Sequence, residues 1–401
     1  MTVKELIARS KAAQAAFAFA TQEQADAAAR AICKVVYDNA EKLGPMAAEE
    51  SRMGSEQDKI AKCRNKSALI WESLKDKKSC DIINRIEERR MIEVAKPVGV
   101  VASIIPSTNP VVTPMSNGAF ALKCRNSVIF APHPRAVKCT KLLVEMFRAE
   151  LKKLGLPEDL VLGLEEVSND LTSELMSAAD MVVATGGMGM VKAAYSSGKP
   201  AIGVGQGNVQ CIIDEDADIA DAVGKIIIGR AFDNGLICLG EQTVFVPEDK
   251  EAEFVAEMKK QGGYLVEGEE NVDKLREGLF PGGDAFSRVV VGMFADQVSD
   301  EIGLGAPKGT RVLFAKAKAL GAGDVLCREK LCPVIAYMTY KTFKEGVAMM
   351  EANLEHEGKG HSIAVHSNTP ENVEYAAIRC CVSRVVVNQP SGTTGGGSPT
   401  N

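Results

Sequence analysis

One cysteine of this chain lies in a sequence context suited to covalent chemistry. Cys238 follows the run Phe232-Asp-Asn-Gly-Leu-Ile, between a predicted helix and a predicted strand that begins near Thr243. A cysteine in a glycine-flanked turn has little hydrophobic cover, and its thiolate is a competent nucleophile. The chain has 11 cysteines, and we interpret most of the others as small core residues. The local sequence favours a nucleophile at Cys238 over the alternative of a buried structural thiol.

A glycine-rich segment is the second feature with chemical potential. The run Thr185-Gly-Gly-Met-Gly-Met-Val-Lys follows a predicted strand and opens a predicted helix. Glycines let a backbone approach a phosphate, and the N-terminus of a helix favours negative charge. The spacing is not the full G-x-G-x-x-G pattern. A tight turn without a ligand is therefore an equally good interpretation of this segment alone.

Composition and charge exclude several classes of function. The chain has 401 residues, with 47 Lys and Arg against 53 Asp and Glu, and so a net charge of −6. A mildly acidic chain without a basic block is a poor candidate for nucleic-acid binding. The chain has only four histidines and no Cys-x-x-Cys pair, so its sequence lacks the spacing that is typical of zinc ligands. With no apolar run near the roughly 18 residues of a membrane helix and no signal-peptide core, we expect a cytoplasmic protein with no membrane partner.

The order of predicted elements is typical of an α/β protein with two sheets. Residues 3–80 have helical periodicity, and apolar strands alternate with helices from residue 98 onward. Such units form parallel sheets covered by helices, with ligand sites at the turns that follow the strands. In the second block of elements we predict a strand at 287–291 and a loop excursion over residues 262–285.

Four further motifs accompany the Cys238 turn and the glycine-rich segment. They are Lys96-Pro-Val-Gly-Val-Val-Ala, Pro106-Ser-Thr-Asn-Pro-Val-Val-Thr-Pro, Ala131-Pro-His-Pro-Arg and Glu329-Lys-Leu-Cys-Pro-Val. With these motifs the chain resembles the CoA-acylating aldehyde dehydrogenases over about residues 3–398. The subgroups it resembles are the CoA-dependent succinate-semialdehyde dehydrogenases and the aldehyde dehydrogenase half of the aldehyde–alcohol dehydrogenases.

The resemblance implies a role for each motif. Cys238 attacks the aldehyde to give a thiohemiacetal, and Asn109 with the backbone N–H of Cys238 stabilises the oxyanion. Hydride then leaves for the nicotinamide of NAD or NADP, and a thioester remains on the enzyme until coenzyme A, as co-substrate, takes the acyl group in a reversible reaction. The residues that the resemblance assigns to the cofactor are Thr108, His133, Pro134, Arg135, Gly186, Gly187, Met188 and Glu329, of which Glu329 holds the nicotinamide ribose.

One departure from the wider family predicts acyl transfer rather than hydrolysis. Hydrolytic aldehyde dehydrogenases carry Glu-Leu-Gly-Gly-Lys, whose glutamate activates water. When the chain is aligned on Asp216-Ala-Asp, that glutamate position holds Val204. Without this base the thioester should persist until a thiol attacks it. A hydrolytic aldehyde dehydrogenase, a glutamyl-phosphate-type reductase and an inactive protein with the same fold are the alternatives.

The sequence leaves the aldehyde open. Small polar residues at Ser391, Thr393 and Thr394 suit a substrate with a carboxylate or sulfonate. Succinate semialdehyde is therefore favoured, with sulfoacetaldehyde and acetaldehyde as alternatives. His361 lies before a predicted strand, and it has either a structural role or a role near the substrate and the CoA thiol.

These features together predict the domain organisation. We expect a Rossmann-like dinucleotide-binding domain from residues 1–80 and 98–230, and a second, catalytic α/β domain over residues 231–390. A hairpin over residues 81–97 is expected to serve oligomerisation, together with chain beyond Asn401, and a glycine-rich tail covers residues 391–401. The resemblance implies a homodimer or a homotetramer.

Overall fold

The chain forms two compact units, each built on a parallel β-sheet. The computed structural model describes residues 1–394, except for the side chains of Thr393 and Thr394. Of these residues, the first unit comprises 1–52 and 56–205, and the second comprises 53–55 and 206–394. Because both units combine parallel strands with helices, the predicted α/β fold class is confirmed.

Four helices open the first unit. They are α1 (Val3–Phe17), α2 (Gln22–Asp38), α3 (Ala40–Ser51) and α4 (Glu56–Leu74). The hydroxyls of Thr2 and Thr21 cap α1 and α2, each within a capping box that fixes the start of its helix. The buried face of α2 consists of small or branched residues, which lets α4 pack closely against it.

Two antiparallel strands follow the helices, where the sequence predicts a hairpin. They are β1 (Asp81–Ile86) and β2 (Met91–Ala95). Four apolar side chains of the two strands, Ile82, Met91, Ile92 and Val94, are exposed, as are several polar ones. A two-stranded ribbon is only marginally stable by itself. The role in oligomerisation that the resemblance implies for this hairpin stays a prediction.

The sheet of the first unit has five strands with helices between them. The strands are β3 (Val100–Ile105), β4 (Ser127–Pro132), β5 (Val161–Gly163), β6 (Met181–Thr185) and β7 (Ala201–Val204), and the helices are α5 (Val112–Lys123), α6 (Val137–Lys153), α7 (Asn169–Ala178) and α8 (Met188–Tyr195). All pairs are parallel, in the order β5-β4-β3-β6-β7. The chain order reverses at β3, and ligands bind at the carboxyl ends of the strands beside such a reversal.

The second unit carries a larger sheet of seven parallel strands. The strands are β8 (Val209–Ile213), β9 (Glu241–Pro247), β10 (Gly263–Leu265), β11 (Val312–Lys316), β12 (Val334–Tyr340), β13 (Gly360–His366) and β14 (Val382–Val387). The helices are α9 (Ile219–Ala231), α10 (Glu251–Lys260), α11 (Glu269–Leu279), α12 (Ala295–Ile302), α13 (Phe343–His356) and α14 (Pro370–Arg379). The order is β10-β11-β12-β9-β8-β13-β14. The middle strand, β9, is buried along its whole length, and Cys238 lies three residues before it.

Three predictions about the second block of elements differ from the structure. The predicted strand at 287–291 is wrong, since this segment forms only bends and turns. The predicted loop over residues 262–285 is also wrong, because it contains β10 and α11. The boundary predicted at residue 230 lies instead after Gly205, since β8 pairs with β9 and β13 and so belongs to the second sheet.

Candidate active site

The turn that carries Cys238 has an unusual backbone. After α9 ends, Asp233, Asn234 and Gly235 take φ values of 50°, 53° and 73°, three left-handed residues in succession. The first two have side chains, so this conformation costs energy that the surroundings must offset. The side-chain amide of Asn234 donates to the carbonyl oxygen of Gly292 at 2.9 Å. A Cβ on Gly235 would lie 2.6 Å from the carbonyl group of Cys332, so only glycine fits there.

Burial distinguishes Cys238 from the core thiols. Cys238 is half-buried, whereas its neighbours Leu236 and Leu239 are buried. By contrast, burial raises the pKa of Cys33 and of Cys332 to about 12, which makes them unreactive at neutral pH. Cys238, the predicted nucleophile, is therefore more accessible than these two core thiols.

Gly207 joins Cys238 to Glu329. A Cβ on Gly207 would lie 2.1 Å from the carbonyl oxygen of Cys238, so the two backbones are in direct contact. The N–H of Gly207 donates to Oε1 of Glu329 at 2.8 Å. Sequence reasoning missed Gly207, although the run Val204-Gly-Gln-Gly contains a signal for it, because a glycine in a short connection between strands often marks a close backbone approach.

Glu329 is held by a second contact and carries a perturbed acidity. Its own N–H donates to Oε2 of Glu357 at 2.5 Å. Burial raises the pKa of Glu329 to about 7, and the Gly207 N–H opposes that shift. At neutral pH the carboxyl group therefore exchanges between its acid and its carboxylate form, both of which can accept a hydrogen bond from a hydroxyl group.

A cluster of buried charged residues supports the base of the turn. Arg230 is fully buried and donates to the carbonyl oxygens of Lys330 and Cys332. Burial lowers the pKa of Lys330 to about 7 and raises that of Glu241 to about 7. Because such groups are costly to bury, their backbone bonds indicate that they hold the segments around Cys238 and Glu329 in place.

Ser391 also helps to hold the Cys238 turn in place. It is buried, its N–H donates to Oε1 of Glu241 at 2.9 Å, and its hydroxyl donates to the carbonyl oxygen of Leu239. These bonds favour a role in fixing the Cys238 turn over the predicted role as a donor to substrate. The side chains of Thr393 and Thr394, predicted with it, lie outside the described part of the chain.

His361 lies inside β13, not before it as predicted. Burial lowers its pKa to about 4, so the imidazole is neutral at physiological pH. The backbone N–H of His361 donates to the carbonyl oxygen of Gly358 at 3.1 Å. Gly358 packs against Asn208, where an added Cβ would lie 2.7 Å from the Asn208 Cβ. The histidine is therefore linked through one loop to the segment that contacts Cys238.

In the first unit, the predicted Asn109 lies in the loop between β3 and α5. Its Oδ1 accepts a hydrogen bond from Nζ of Lys62 at 3.0 Å. Lys62 is on α4 and is only 5% exposed. Thr108, the preceding residue, is half-buried. Sequence reasoning missed Lys62, because no local pattern links it to a loop 47 residues away.

The glycine-rich segment also lies at the carboxyl edge of this sheet. Gly186 donates its N–H to the carbonyl oxygen of Val204 at 3.1 Å, and Gly187 caps α8 without a side-chain hydrogen bond. Met188 is exposed, and a Cβ on Gly187 would meet no atom within 4 Å. The first N–H groups of α8 are therefore open to an anion such as a pyrophosphate.

The third cofactor segment follows β4 at the same edge. His133, Pro134 and Arg135 are exposed, and Nδ1 of His133 accepts the N–H of Arg135 at 3.1 Å. The loops after β3, β4 and β6 thus gather all the predicted cofactor residues of the first unit at one end of one sheet. This placement fits a dinucleotide, whose phosphates and adenosine ribose need an open helix end and polar groups beside it.

Comparison with known proteins decides the family. An aldehyde dehydrogenase family model matches residues 1–274. The chain is 47% identical over 396 residues to the succinate-semialdehyde dehydrogenase (acetylating) of Clostridium kluyveri, covering 99% of this chain and 87% of that protein. The chain belongs to the acylating aldehyde dehydrogenases. The resemblance predicted from the sequence is therefore confirmed.

Two more relatives place this aldehyde dehydrogenase among acylating enzymes. It is 39% identical over 406 residues to the sulfoacetaldehyde dehydrogenase (acylating) of Bilophila wadsworthia, covering 100% of this chain and 87% of the relative. Its fold matches a propionaldehyde dehydrogenase of Rhodopseudomonas palustris, solved with bound CoA and an acylated cysteine. That match has a TM-score of 0.87 and 28% identity, and it covers 99% of this chain and 90% of the other.

Two kinds of feature are not found in this aldehyde dehydrogenase over residues 1–394. No group of three or more histidine, cysteine, aspartate or glutamate side chains is arranged to hold a metal ion. No helix in the same range has both the length and the apolar character of a membrane span.

Proposed function

We propose that this aldehyde dehydrogenase oxidises a small polar aldehyde with NAD or NADP and transfers the acyl group to coenzyme A, with Cys238 as the nucleophile. The half-buried thiol of Cys238, in a strained turn supported by Gly207 and Ser391, is the observation that carries the proposal. The CoA-bound relative with an acylated cysteine supports covalent chemistry of the same kind.

The first half of the reaction forms and oxidises a thiohemiacetal. After its proton has passed to solvent, the Cys238 thiolate bonds to the aldehyde carbon, and the electron pair of the C=O bond moves to the oxygen, which gains the negative charge. The side-chain amide of Asn109 and the backbone N–H of Cys238 donate to that oxygen. NAD or NADP would supply the acceptor for the hydride on the same carbon. A thioester between Cys238 and the acyl group remains.

The second half transfers the acyl group to a thiol. Val204 is an exposed apolar residue where hydrolytic relatives carry the glutamate that activates water. The thioester therefore persists until the CoA sulfur attacks it and Cys238 leaves. We place His361 near the CoA thiol as a hydrogen-bond partner and not as its base, because burial lowers the pKa of the imidazole to about 4.

The cofactor is bound mainly by the first unit. The open N-terminus of α8 holds the pyrophosphate, and His133, Pro134 and Arg135 contact the adenosine ribose. Thr108 lies beside them, and Glu329 accepts hydrogen bonds from the nicotinamide ribose. No acidic residue stands in the 131–135 segment, so the 2′-phosphate of NADP is not repelled.

Succinate semialdehyde is the substrate we favour. The relative from Clostridium kluyveri, at 47% identity, bears that activity in its name. Ser391 fixes the Cys238 turn, so Thr393 and Thr394 are the residues that we propose for a carboxylate at the far end of the substrate. Sulfoacetaldehyde is the second candidate, because the relative from Bilophila wadsworthia is named for it.

A comparison of aldehydes tests both the reaction and the substrate. Purified protein is given succinate semialdehyde, sulfoacetaldehyde or acetaldehyde, with NAD and with or without CoA, and NADH is followed at 340 nm. We expect sustained turnover only with CoA, the highest kcat/KM with succinate semialdehyde, and acyl-CoA as product. A higher kcat/KM with sulfoacetaldehyde would transfer the assignment to the second candidate.

A matched pair of variants tests the nucleophile in the same assay. Cys238→Ala should abolish activity while the far-ultraviolet circular dichroism spectrum stays unchanged. Cys381→Ala removes an exposed thiol elsewhere in the second unit and should keep activity within about twofold of the parent. Activity of more than a few percent in Cys238→Ala would contradict the proposal.

We also infer a homodimer or homotetramer in which the hairpin of β1 and β2 contributes to the contact. Its exposed Ile82, Ile92 and Val94 share one face of the hairpin, since Ile82 pairs with Val94, and subunit interfaces cover apolar surface of this kind. Light scattering coupled to size-exclusion chromatography should give a mass at least twice 42.8 kDa. Replacing Ile92 with aspartate should lower that mass.

A further inference from the structure

Helix α4 buries three lysines on one face. Lys59, Lys62 and Lys66 are between 3% and 8% exposed, and their spacing of three and four residues aligns them along the helix. Lysine is almost never buried without compensation, because transfer of an ammonium group from water is costly. Positions where a chain accepts such a cost are frequently functional. The contact of Lys62 indicates what its function is.

Lys62 fixes the orientation of the Asn109 side chain. An ammonium group is a donor only, and the carboxamide of asparagine has a single oxygen acceptor. The 3.0 Å bond between Nζ of Lys62 and Oδ1 of Asn109 therefore forces the amide NH₂ to point away from Lys62. Among residues 1–394, Nδ2 of Asn109 has no hydrogen-bond partner, so it is available to an acceptor that arrives with a ligand.

We propose that Lys62 is a positioning residue that orients and polarises the carboxamide of Asn109 for the oxyanion of the reacting aldehyde. This proposal rests on the function assigned to Asn109 above. Two effects operate through the same bond. The fixed amide plane aims Nδ2 at one place, and the cation on Oδ1 draws electron density from the amide, which makes its N–H a stronger donor. A donor that is already oriented needs no rearrangement when charge develops.

The test begins with three single variants of the full-length protein. Lys62→Met removes the ammonium group and keeps most of the side-chain length. We expect kcat for CoA-dependent aldehyde oxidation to fall about 10- to 100-fold, the loss typical of a misplaced catalytic group. The KM for NAD should stay within about twofold, because Asn109 stabilises the transition state and not the bound cofactor. Lys62→Arg, which retains charged donors, should recover part of the lost kcat.

Lys66→Met is the matched control, since it removes a second buried lysine from the same helix face. We expect its kcat within about twofold of the parent. Both variants remove a buried ammonium group that has partners, so we expect the melting temperatures of Lys62→Met and Lys66→Met to fall by similar amounts. A lysine with only a structural role would lower the melting temperature and leave kcat of the folded fraction unchanged, and that result would overturn the proposal.

A double-mutant cycle separates this proposal from the function on which it rests. Asn109→Ala alone should lower kcat about 100- to 1,000-fold, and adding Lys62→Met should then cost less than about threefold. Full additivity, or no loss in Lys62→Met beside a large loss in Asn109→Ala, would overturn the role of Lys62 alone. No loss in Asn109→Ala would overturn the oxyanion assignment itself. If Lys62→Met does not fold, Lys62→Gln is carried through the same cycle.

Discussion

At the scale of single residues, burial separates Cys238 from the core thiols. Cys238 is half-buried, whereas Cys332, also in the second unit, is enclosed, and burial raises its pKa to about 12. The same rule acts on acids, since burial raises the pKa of Glu329 to about 7. The sequence identified Cys238 and Glu329 through their motifs, but their acidities depend on neighbours distant in sequence. Glu357 and Gly207, which shape the environment of Glu329, are 28 and 122 residues away.

The acidity of Glu329 predicts how the stability of one variant depends on pH. A buried acid whose pKa is raised from 4.5 to about 7 retains its proton in the folded state, so its contribution to stability is present below pH 4.5 and is lost as pH rises through 7. Glu329→Gln removes this dependence and keeps an oxygen for the Gly207 N–H. Its melting temperature should match that of the parent at pH 5 and exceed it by about 2–4 °C at pH 8.

Thermal unfolding of the ligand-free protein at pH 5, 6, 7 and 8 checks this prediction. Glu277→Gln serves as the control, because it makes the same substitution at an exposed glutamate. An equal melting temperature of Glu329→Gln and the parent at pH 8 would contradict the raised pKa.

At the scale of elements, the sequence predicted which apolar runs could form strands better than it predicted which of them find a partner strand. The apolar runs identified β3, β4 and β6, and their carboxyl ends carry the predicted cofactor residues. The run 287–291 has the same apolar character, yet it forms no strand and leaves Val289 exposed. Helix α11 was missed within a glycine-rich segment, although Val272, Leu275 and Leu279 have helical spacing. Local pattern does not show whether a partner strand is present, and this is why the first error arose.

The connection between β7 and β8 gives a prediction at the same scale. A Cβ on Gly207 would lie 2.1 Å from the carbonyl oxygen of Cys238, so Gly207→Ala must displace the turn. We expect kcat to fall at least about 100-fold, as a displacement near 1 Å is enough for such a loss. The rate at which iodoacetamide alkylates Cys238 should change as well, because the thiol moves with the turn.

Gly224→Ala provides the matched control for this substitution. Gly224 lies in α9, where a Cβ would meet only the side-chain end of Gln261 at 3.0 Å, and alanine favours a helix more than glycine does. Both kcat and the alkylation rate should stay within about twofold of the parent. Full activity in Gly207→Ala would show that the contact with Cys238 has no functional importance.

At the scale of the whole molecule, sequence and structure contribute different parts of the account. The motifs predicted the α/β class and the acylating family, and both are confirmed. The contacts that support the site came from the structure alone, as with Lys62 on Asn109 and Glu241 on Ser391. The first contact joins residues 47 positions apart and the second joins residues 150 positions apart, so only the folded chain brings them together.

The central claim is that the acyl-enzyme resists water because Val204 replaces the base. Rapid mixing of enzyme, succinate semialdehyde and NAD without CoA tests it most directly. We expect a burst of about one NADH per active site, after which formation nearly stops, because acylation and deacylation are separate steps. Addition of CoA should then restart turnover and give acyl-CoA. Steady NADH formation at full rate without any thiol, with the free acid as product, would contradict the acyl-transfer mechanism.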